Sequence, residues 1–325
     1  MLMLSAMLVL LTACGSDSSE GDAEKVKIGI SQIVEHPSLD ATREGIIKAL
    51  KDEGYVEGKN LEIDIQIAQN DMGNNTSIAQ KFAGDKDLDV IVAIATPSAQ
   101  AVAQATAKSD IPVIFSVITD PIGAKLVKDL EKPGKNITGV SDSHPEAIKK
   151  TLESVKEFLP EAKSVGILYN AGEQNSVSEV EKAEKIAEEL DLKIVKASVS
   201  NTSEVKQAAE SMVGRADVFF LPRDNTVISS LPAVIQVAEE KKIPLFTSDA
   251  DSVKGGAFAA YGFEYRDLGY TTGKMVVEVL QGKKPSELPV RFPEKLDLII
   301  NEKAAEAQGV KLTDEMKKQA VIIEE

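Results

Sequence analysis

The sequence of 325 residues contains one cysteine, no tryptophan and only two histidines. A single cysteine excludes a disulfide within the chain and argues against a cysteine-ligated metal site. His36 and His144 each precede a proline in a predicted loop, and they lack the i, i+4 spacing of a helical zinc motif. We therefore expect no metal and no cofactor. The aromatic content of 4% also leaves few rings on which a sugar could stack.

Positive charge is scarce as well, because 37 lysines and arginines face 52 acidic residues, for a formal net charge of -15. A nucleic-acid partner is therefore not expected, since phosphate binding needs a basic surface. The sequence has no G-x-G-x-x-G fingerprint and no G-x-S-x-G elbow. Gly54–Asn60 (GYVEGKN) has the wrong spacing for a phosphate loop and leads into a strand, so it predicts a turn. An extracytoplasmic enzyme is a weak alternative, because neither a nucleophile nor a metal set is evident.

The N-terminal segment Met1–Cys14 (MLMLSAMLVLLTAC) is apolar but shorter than the roughly 20 residues that span a membrane. Its last four residues, Leu-Thr-Ala-Cys, resemble a bacterial lipobox, in which Cys14 would carry the lipid. The alternative is an ordinary secretory signal with an incidental cysteine. Residues 15–24 are polar and aperiodic, which predicts a flexible tether. We expect an extracytoplasmic protein that a lipid anchor holds at the cell membrane.

From Val26 onward, apolar strands alternate with amphipathic helices, which predicts an α/β fold with parallel strands covered on both faces. Asp89–Asp120 and Asp217–Asp251 share an Asp-Val strand opening, a polar strand end, a helix and an Ile-Pro strand. This repetition predicts two Rossmann-like, doubly wound parallel-sheet lobes rather than one large sheet. We expect three crossings between them, with residues 25–139 plus 263–285 in lobe 1 and residues 140–262 plus 286–325 in lobe 2.

Polar residues follow the predicted strands at the ends where open α/β sheets bind ligands. We expect Thr96 to cap a helix that begins at Pro97, and Ser98 to present a hydroxyl there; this helix end suits a carboxylate. Thr96 acting as a cap alone is the alternative. Asp224 or Asp249 could accept a ligand ammonium, although Asp224 could instead pair with Arg223 or cap the next helix. The candidate ligand-binding residues are Gln32, His36, Thr96, Ser98, Thr119, Asp120, Tyr169, Asn170, Asn175, Ser176, Asp224, Asn225 and Asp249.

Seven stretches of the chain resemble the substrate-binding proteins of bacterial ABC importers, in particular the lipid-anchored group associated with tryptophan and tyrosine uptake. They are Ile33–Gly45, Ala95–Ala101, Val117–Val127, Asn136–Asp142, Leu168–Ser176, Leu221–Val227 and Tyr261–Lys283.

The resemblance implies a type I periplasmic-binding-protein fold that is not an enzyme and binds a small amino acid-like solute in a cleft. Tryptophan or tyrosine is the first expectation, and the two lobes would close on it by a hinge motion. It further implies a monomer that delivers this solute to an ABC permease powered by a separate ATPase. The alternatives are a ligand-sensing receptor of the same fold and a binder of another small solute, such as a nucleoside.

Overall fold

The computed structural model describes residues 25–324, so Cys14 and the predicted signal and tether lie outside the described residues. The chain first forms β1 (Val26–Gln32), α1 (Pro37–Asp52), β2 (Leu61–Ile67), α2 (Met72–Gly84), β3 (Val90–Ile94), α3 (Thr96–Ala105), β4 (Val113–Ser116) and β5 (Ile137–Val140). It continues with α4 (Ala147–Phe158), β6 (Ser164–Asn170), α5 (Gln174–Glu189), β7 (Lys193–Val199), α6 (Val205–Ser211), β8 (Val218–Phe220), α7 (Asn225–Ile228), α8 (Leu231–Lys241), β9 (Leu245–Thr247), α9 (Ala250–Lys254) and β10 (Ala259–Gly262). The last elements are α10 (Tyr265–Leu280), β11 (Asp297–Asn301), α11 (Glu302–Ala307), α12 (Asp314–Gln319) and β12 (Val321–Ile323). Short 3₁₀ turns cover Thr202–Glu204 and Pro285–Glu287.

The strands form two sheets that repeat one topology. The first has the order β2-β1-β3-β4-β5, and all of its neighbouring strands are parallel. The second contains the equivalent run β7-β6-β8-β9-β10, extended by β11 and β12. β11 pairs with β10 in the antiparallel sense, which the sequence had not indicated. The prediction of two doubly wound α/β lobes is confirmed, and in each lobe the order reverses beside the first strand, where such sheets bind ligands.

Each lobe has its own hydrophobic core, because its central strands are apolar on both faces. All five residues of β3 are buried, and so is all of β8. Helices cover both sides of each sheet, as continuous apolar strands require. Two separate cores allow the lobes to move as units relative to each other.

The chain passes between the lobes three times, after β5, after β10 and after Arg291. The third passage lies later than predicted. Leu288 and Val290 are buried in the first core, and the Arg291 N–H donates to the Gly139 carbonyl at 3.0 Å. Lobe 1 therefore extends to Arg291 rather than ending at 285, because these alternating apolar residues have their partners in lobe 1.

Helix α10 returns to lobe 1 and packs on α1 with almost no space between the two backbones. A Cβ added at Gly269 would lie 2.0 Å from the Thr42 carbonyl oxygen, and one at Gly45 would lie 2.2 Å from that of Arg266. This close contact fixes the first residue of α10, Tyr265, at the gap between the lobes. Within residues 25–324, no helix is both long and apolar enough to cross a membrane.

Candidate ligand-binding site

A cavity lies between the lobes, at the carboxyl ends of strands from both sheets. Lobe 1 contributes the residues that follow β1, β3 and β4, and lobe 2 contributes those that follow β6, β8 and β9. Asp142 and Tyr265 come from the first two crossings. The lining residues are His36, Ser38, Leu39, Ala95, Thr96, Val117, Thr119, Asp142, Asn175, Arg223, Asp224, Asn225, Ile228, Asp249 and Tyr265.

The two lobes are closed over this cavity, because side chains of one lobe bind those of the other. The Ser38 hydroxyl donates to Asp249 Oδ1 at 3.0 Å. The Asn70 amide donates to Thr226 Oγ1 at 2.9 Å. The Ser178 hydroxyl donates to an oxygen of Asp120 at 3.3 Å. These bonds can form only when the lobes meet, so the structure represents the closed conformation.

Several buried polar atoms on the cavity wall have no hydrogen-bond partner within residues 25–324. Buried polar groups in proteins are nearly always paired, so such atoms need an explanation. Most of the buried side-chain atoms without a partner belong to residues that line the cavity. They include hydrogen-bond donors and acceptors, one atom of an acidic side chain and one of a basic side chain. They are His36 Nδ1, Thr96 Oγ1, Asp142 Oδ1, Asn175 Oδ1 and Arg223 Nε. A polar ligand in the cavity would pair with them.

A buried ionic cluster forms the cavity wall nearest the hinge. Arg223 donates through its guanidinium and its backbone N–H to the Glu179 carboxylate. Arg223 Nε lies 3.8 Å from Asp142 Oδ2, which also accepts a bond of 2.9 Å from the Tyr265 hydroxyl. Burial raises the pKa of Asp142, and the nearby Arg223 charge opposes that rise. The cluster joins lobe 2 to the first two crossings.

A second buried network holds α7 against the cavity. Asp224 caps this helix by accepting the Val227 N–H at 2.8 Å. The Glu173 carboxylate accepts the backbone N–H groups of Asn225 and Thr226, each at 3.0 Å. Burial, followed by repulsion from Glu173, raises the pKa of Asp224 to about 7. The network fixes Asn225, which faces the cavity, and Thr226, which accepts the bond from Asn70 across the cleft.

Seven of the predicted site residues line the cavity: His36, Thr96, Thr119, Asn175, Asp224, Asn225 and Asp249. The predicted role of Thr96 as a helix cap is wrong, because α3 begins at Thr96 itself and Ala95 occupies the cap position. Ala95 has φ 74°, and Val117 after the next strand has φ 53°. Positive φ is strained for residues with a Cβ, above all for a β-branched one, and here both residues turn the chain into the cavity wall.

The other six predicted residues do not line the cavity, and their side chains bond to or pack against neighbouring protein groups. Ser98 was predicted to face a ligand carboxylate, but it is fully buried and bonds to Asn75 at 3.1 Å. Gln32 bonds to the Val34 carbonyl and to Asp40. Asp120 forms a bond between the lobes, and Tyr169 packs at the edge of the second core. The remaining two support their neighbours: Asn170 bonds to Thr226, and Ser176 bonds to Asp224.

The sequence prediction missed cavity residues of three kinds. Asp142 and Tyr265 lie on the crossings, where the sequence showed a change of lobe but not which side chain would face inward. Arg223 directly follows β8, and the strand-end rule that selected Asp224 applies to it equally. The apolar lining residues Leu39 and Ile228 lie on helices, and only the closed arrangement of the lobes brings them together.

Beside the cavity, Asp251 gives the protein a testable pH dependence. Burial, and then the Asp249 charge, raises the pKa of Asp251 from 3.8 to about 7. The folded chain therefore binds more protons than the unfolded chain between these values, and the free energy of unfolding falls as the pH rises through this range. We expect Asp251→Asn to lose this dependence and to exceed the wild type in stability at pH 8 by about 1–3 kcal/mol.

Urea unfolding at pH 5 and pH 8 measures this effect. Asp110→Asn is the control, because Asp110 is exposed and the Lys135 ammonium lowers its pKa, so its charge does not change between these pH values. Equal pH slopes for Asp251→Asn and the wild type would contradict the prediction.

Known proteins resemble this chain over most of its length. A family model described as "ABC transporter substrate binding protein" matches residues 27–323. A protein of Clostridioides difficile strain R20291 named as a tyrosine-binding protein is 47% identical over 307 residues, which cover 92% of this chain and 88% of that protein.

Two solved structures bear on the arrangement of the lobes. An ABC domain in complex with L-Trp from Streptococcus pneumonia is 37% identical with a TM-score of 0.86, covering 92% of this chain and 99% of that chain. The ligand-free, open structure of a substrate-binding protein with adhesive properties from Clostridium difficile is 44% identical with the same coverage, but its TM-score is 0.67. The lobes of this chain thus superpose better on the complex than on the open structure, although the open relative is more similar in sequence.

Proposed function

This chain belongs to the ABC transporter substrate-binding protein family, and we propose that its cleft binds L-tyrosine or L-tryptophan. The observation that carries the proposal is the set of buried atoms on the cavity wall that have no partner within residues 25–324, which includes atoms of the acidic Asp142 and the basic Arg223. A zwitterion presents one charge of each sign and can pair with both. The names of the similar C. difficile protein and the S. pneumonia complex support an aromatic amino acid.

The cavity wall also suits the side chain of such a ligand. Leu39, Val117 and Ile228 provide apolar surface in the cavity wall. An aromatic ring buried there would contribute about 25 cal/mol for each Å² removed from water. The few polar groups would then fix the orientation of the ligand, as is usual in small-molecule sites.

Closure of the lobes is the mechanism that we propose for capture. Ligand-binding residues come from both lobes, so their full set surrounds the ligand only in the closed state. A ligand that binds this state better shifts the equilibrium between open and closed conformations toward it. The bonds from Ser38 to Asp249 and from Asn70 to Thr226 then hold the closed face, which an ABC permease would recognise.

Substrate-binding proteins of ABC importers work outside the cytoplasm, and the same is proposed for this chain. The lipid anchor at Cys14, the monomeric state and the permease partner remain predictions. Cys14 lies outside the described residues.

Thermal unfolding in the presence of candidate solutes tests the function. A ligand that binds only the folded protein stabilises it by about 2.7 kcal/mol at 100 times its dissociation constant. We expect L-tyrosine or L-tryptophan to raise the melting temperature most, and L-leucine, L-glutamate, a nucleoside and glucose to raise it less. A larger shift with the nucleoside or the sugar would overturn the proposal.

A further inference from the structure

We propose that Asp142, at the first crossing between the lobes, binds the α-ammonium of the ligand, and that neither Asp224 nor Asp249 does so. This inference rests on the proposed function, because it assumes that the ligand is an amino acid. It differs from the sequence prediction, which assigned the ammonium to one of the two acids on lobe 2. All three carboxylates are buried and line the cavity, so the hydrogen bonds that each already makes distinguish them.

Both oxygens of Asp224 are occupied by its own lobe. Oδ1 accepts the Val227 N–H at 2.8 Å, as the cap of α7. Oδ2 accepts the Asn170 N–H at 2.5 Å and the Ser176 hydroxyl at 2.6 Å. A carboxylate offers about four acceptor positions, so little capacity is left for a ligand. Asp224 is a structural acid that supports the cavity wall.

Both oxygens of Asp249 are occupied as well. Oδ1 accepts the Ser252 N–H at 2.8 Å, as the cap of α9, and the Ser38 hydroxyl of lobe 1 at 3.0 Å. Oδ2 accepts the Ser252 hydroxyl at 2.7 Å. Asp249 therefore caps a helix and links the closed lobes.

Asp142 is the acid with a free oxygen. Its Oδ2 accepts the Tyr265 hydroxyl at 2.9 Å, whereas its buried Oδ1 has no partner within residues 25–324. Within residues 25–324, no backbone N–H donates to this side chain, which therefore caps no helix. The side chain is 4% exposed and lies on the cavity wall beside the Thr119 hydroxyl, so a ligand in the cavity can reach Oδ1.

The charge of the surrounding cluster favours a cation at the same place. Arg223 contributes one positive charge, and Glu179 and Asp142 together contribute two negative charges when ionised. Arg223 is engaged mainly by Glu179, with two bonds, and reaches Asp142 only at 3.8 Å. When Asp142 is ionised, the cluster carries one net negative charge, which an ammonium at Asp142 would neutralise. Thr96 Oγ1 and Arg223 Nε are donors without a partner in the described part of the chain, and they remain for the ligand carboxylate.

This position would link binding to closure. Asp142 lies on the first crossing, its partner Tyr265 begins α10 directly after the second, and Arg223 belongs to lobe 2. An ammonium bound at Asp142 would therefore contact the hinge itself and not one lobe alone.

Isothermal titration calorimetry with paired ligands tests the assignment. The ligands are L-tyrosine and L-tryptophan together with 3-(4-hydroxyphenyl)propionate and indole-3-propionate, which lack only the amino group. We expect Asp142→Asn to weaken binding of the amino acids by about 30-fold or more, which is typical of a lost charged hydrogen bond. Binding of the deamino acids should change far less, because they have no ammonium to lose. An unchanged ratio of the two affinities in Asp142→Asn would overturn the inference.

Asp224→Asn and Asp249→Asn test the same assignment from the other side. Their absolute affinities should fall because the amide NH2 of asparagine cannot accept the bonds that one carboxylate oxygen accepts in the wild type, but the ratio of amino acid to deamino acid affinity should stay that of the wild type. A collapse of the ratio in either variant would overturn the inference even if Asp142→Asn failed to fold. Failure of the wild type to bind any amino acid would instead refute the proposed function.

Discussion

Glu179→Gln should reduce the free energy of unfolding by about 3–5 kcal/mol, because it removes the main counter-charge of a buried arginine. Glu179 is 1% exposed, and its two oxygens accept the backbone N–H and the guanidinium of Arg223. A glutamine keeps the shape but leaves the guanidinium to Asp142, which lies 3.8 Å from Nε. An uncompensated buried charge is among the most destabilising changes that a single substitution can make.

The same substitution on the exposed side of the same helix provides the control. Glu184 pairs with Lys196 at 2.7 Å, but both side chains are about 40% exposed. Exposed ion pairs contribute little, so Glu184→Gln should cost less than about 1 kcal/mol. Urea unfolding followed by circular dichroism at pH 7 measures both variants. Equal small losses would show that the Glu179–Arg223 pair does not stabilise the fold.

Glu179→Gln should also weaken ligand binding in the protein that remains folded. Asp142 would become the nearest carboxylate to Arg223, so it would be drawn toward the guanidinium and away from the cavity. Calorimetry with the amino acid that gives the largest thermal shift measures this loss. Unchanged affinity in the folded variant would show that the ionic cluster does not contribute to ligand binding.

Glu173→Ala should cost about 3 kcal/mol or more of folding stability, because several buried donors lose their acceptor together. The carboxylate accepts the N–H groups of Asn225 and Thr226, the Thr226 hydroxyl at 2.7 Å and the Asn225 amide at 2.5 Å. Each buried donor left unpaired costs about 1–3 kcal/mol. After burial, repulsion from Glu173 is the next largest cause of the raised pKa of Asp224. Removing Glu173 should therefore lower the pKa of Asp224, and the relieved repulsion should offset part of the stability loss.

Glu204→Ala is the matched control for this prediction. Glu204 also accepts several bonds, including the Ser200 N–H at 2.7 Å and the Asn201 amide at 3.0 Å, but it is exposed. Water can replace its oxygens as acceptors, so the loss should be about 1 kcal/mol or less. The comparison uses chemical denaturation of both variants in one buffer. A larger loss for Glu204→Ala would contradict the role assigned to burial.

Thr226 links the network of Glu173 to the closed conformation. Its hydroxyl donates to Glu173 and accepts amide bonds from Asn170 of its own lobe and from Asn70 of the other lobe. Asn70 has φ 58°, and the preceding Gln69 has φ 53°. Two successive left-handed residues cost conformational energy, and here they turn the Asn70 amide toward lobe 2.

The sequence by itself determined the fold and the edge of each sheet at which the site lies. Continuous apolar strands such as β3 require cover on both faces, and the repeated segments Asp89–Asp120 and Asp217–Asp251 require two similar lobes. Strand ends are local features of the sequence, so residues such as Thr119, Asn175 and Asn225 could be selected from it. Each of these three lines the cavity.

Only the tertiary structure decided which polar groups are free to meet a ligand. In the sequence, Ser98 and Asp224 are as polar as Asp142. In the structure, Ser98 bonds to Asn75, which is distant along the chain, and Asp224 accepts bonds from both the nearby Val227 and the distant Asn170. Within residues 25–324, one oxygen of Asp142 has no partner, because the crossing carries it past the sheet and no backbone N–H donates to it. Hydrogen-bond capacity is used up by contacts between distant segments, and those contacts exist only after the lobes have folded and closed.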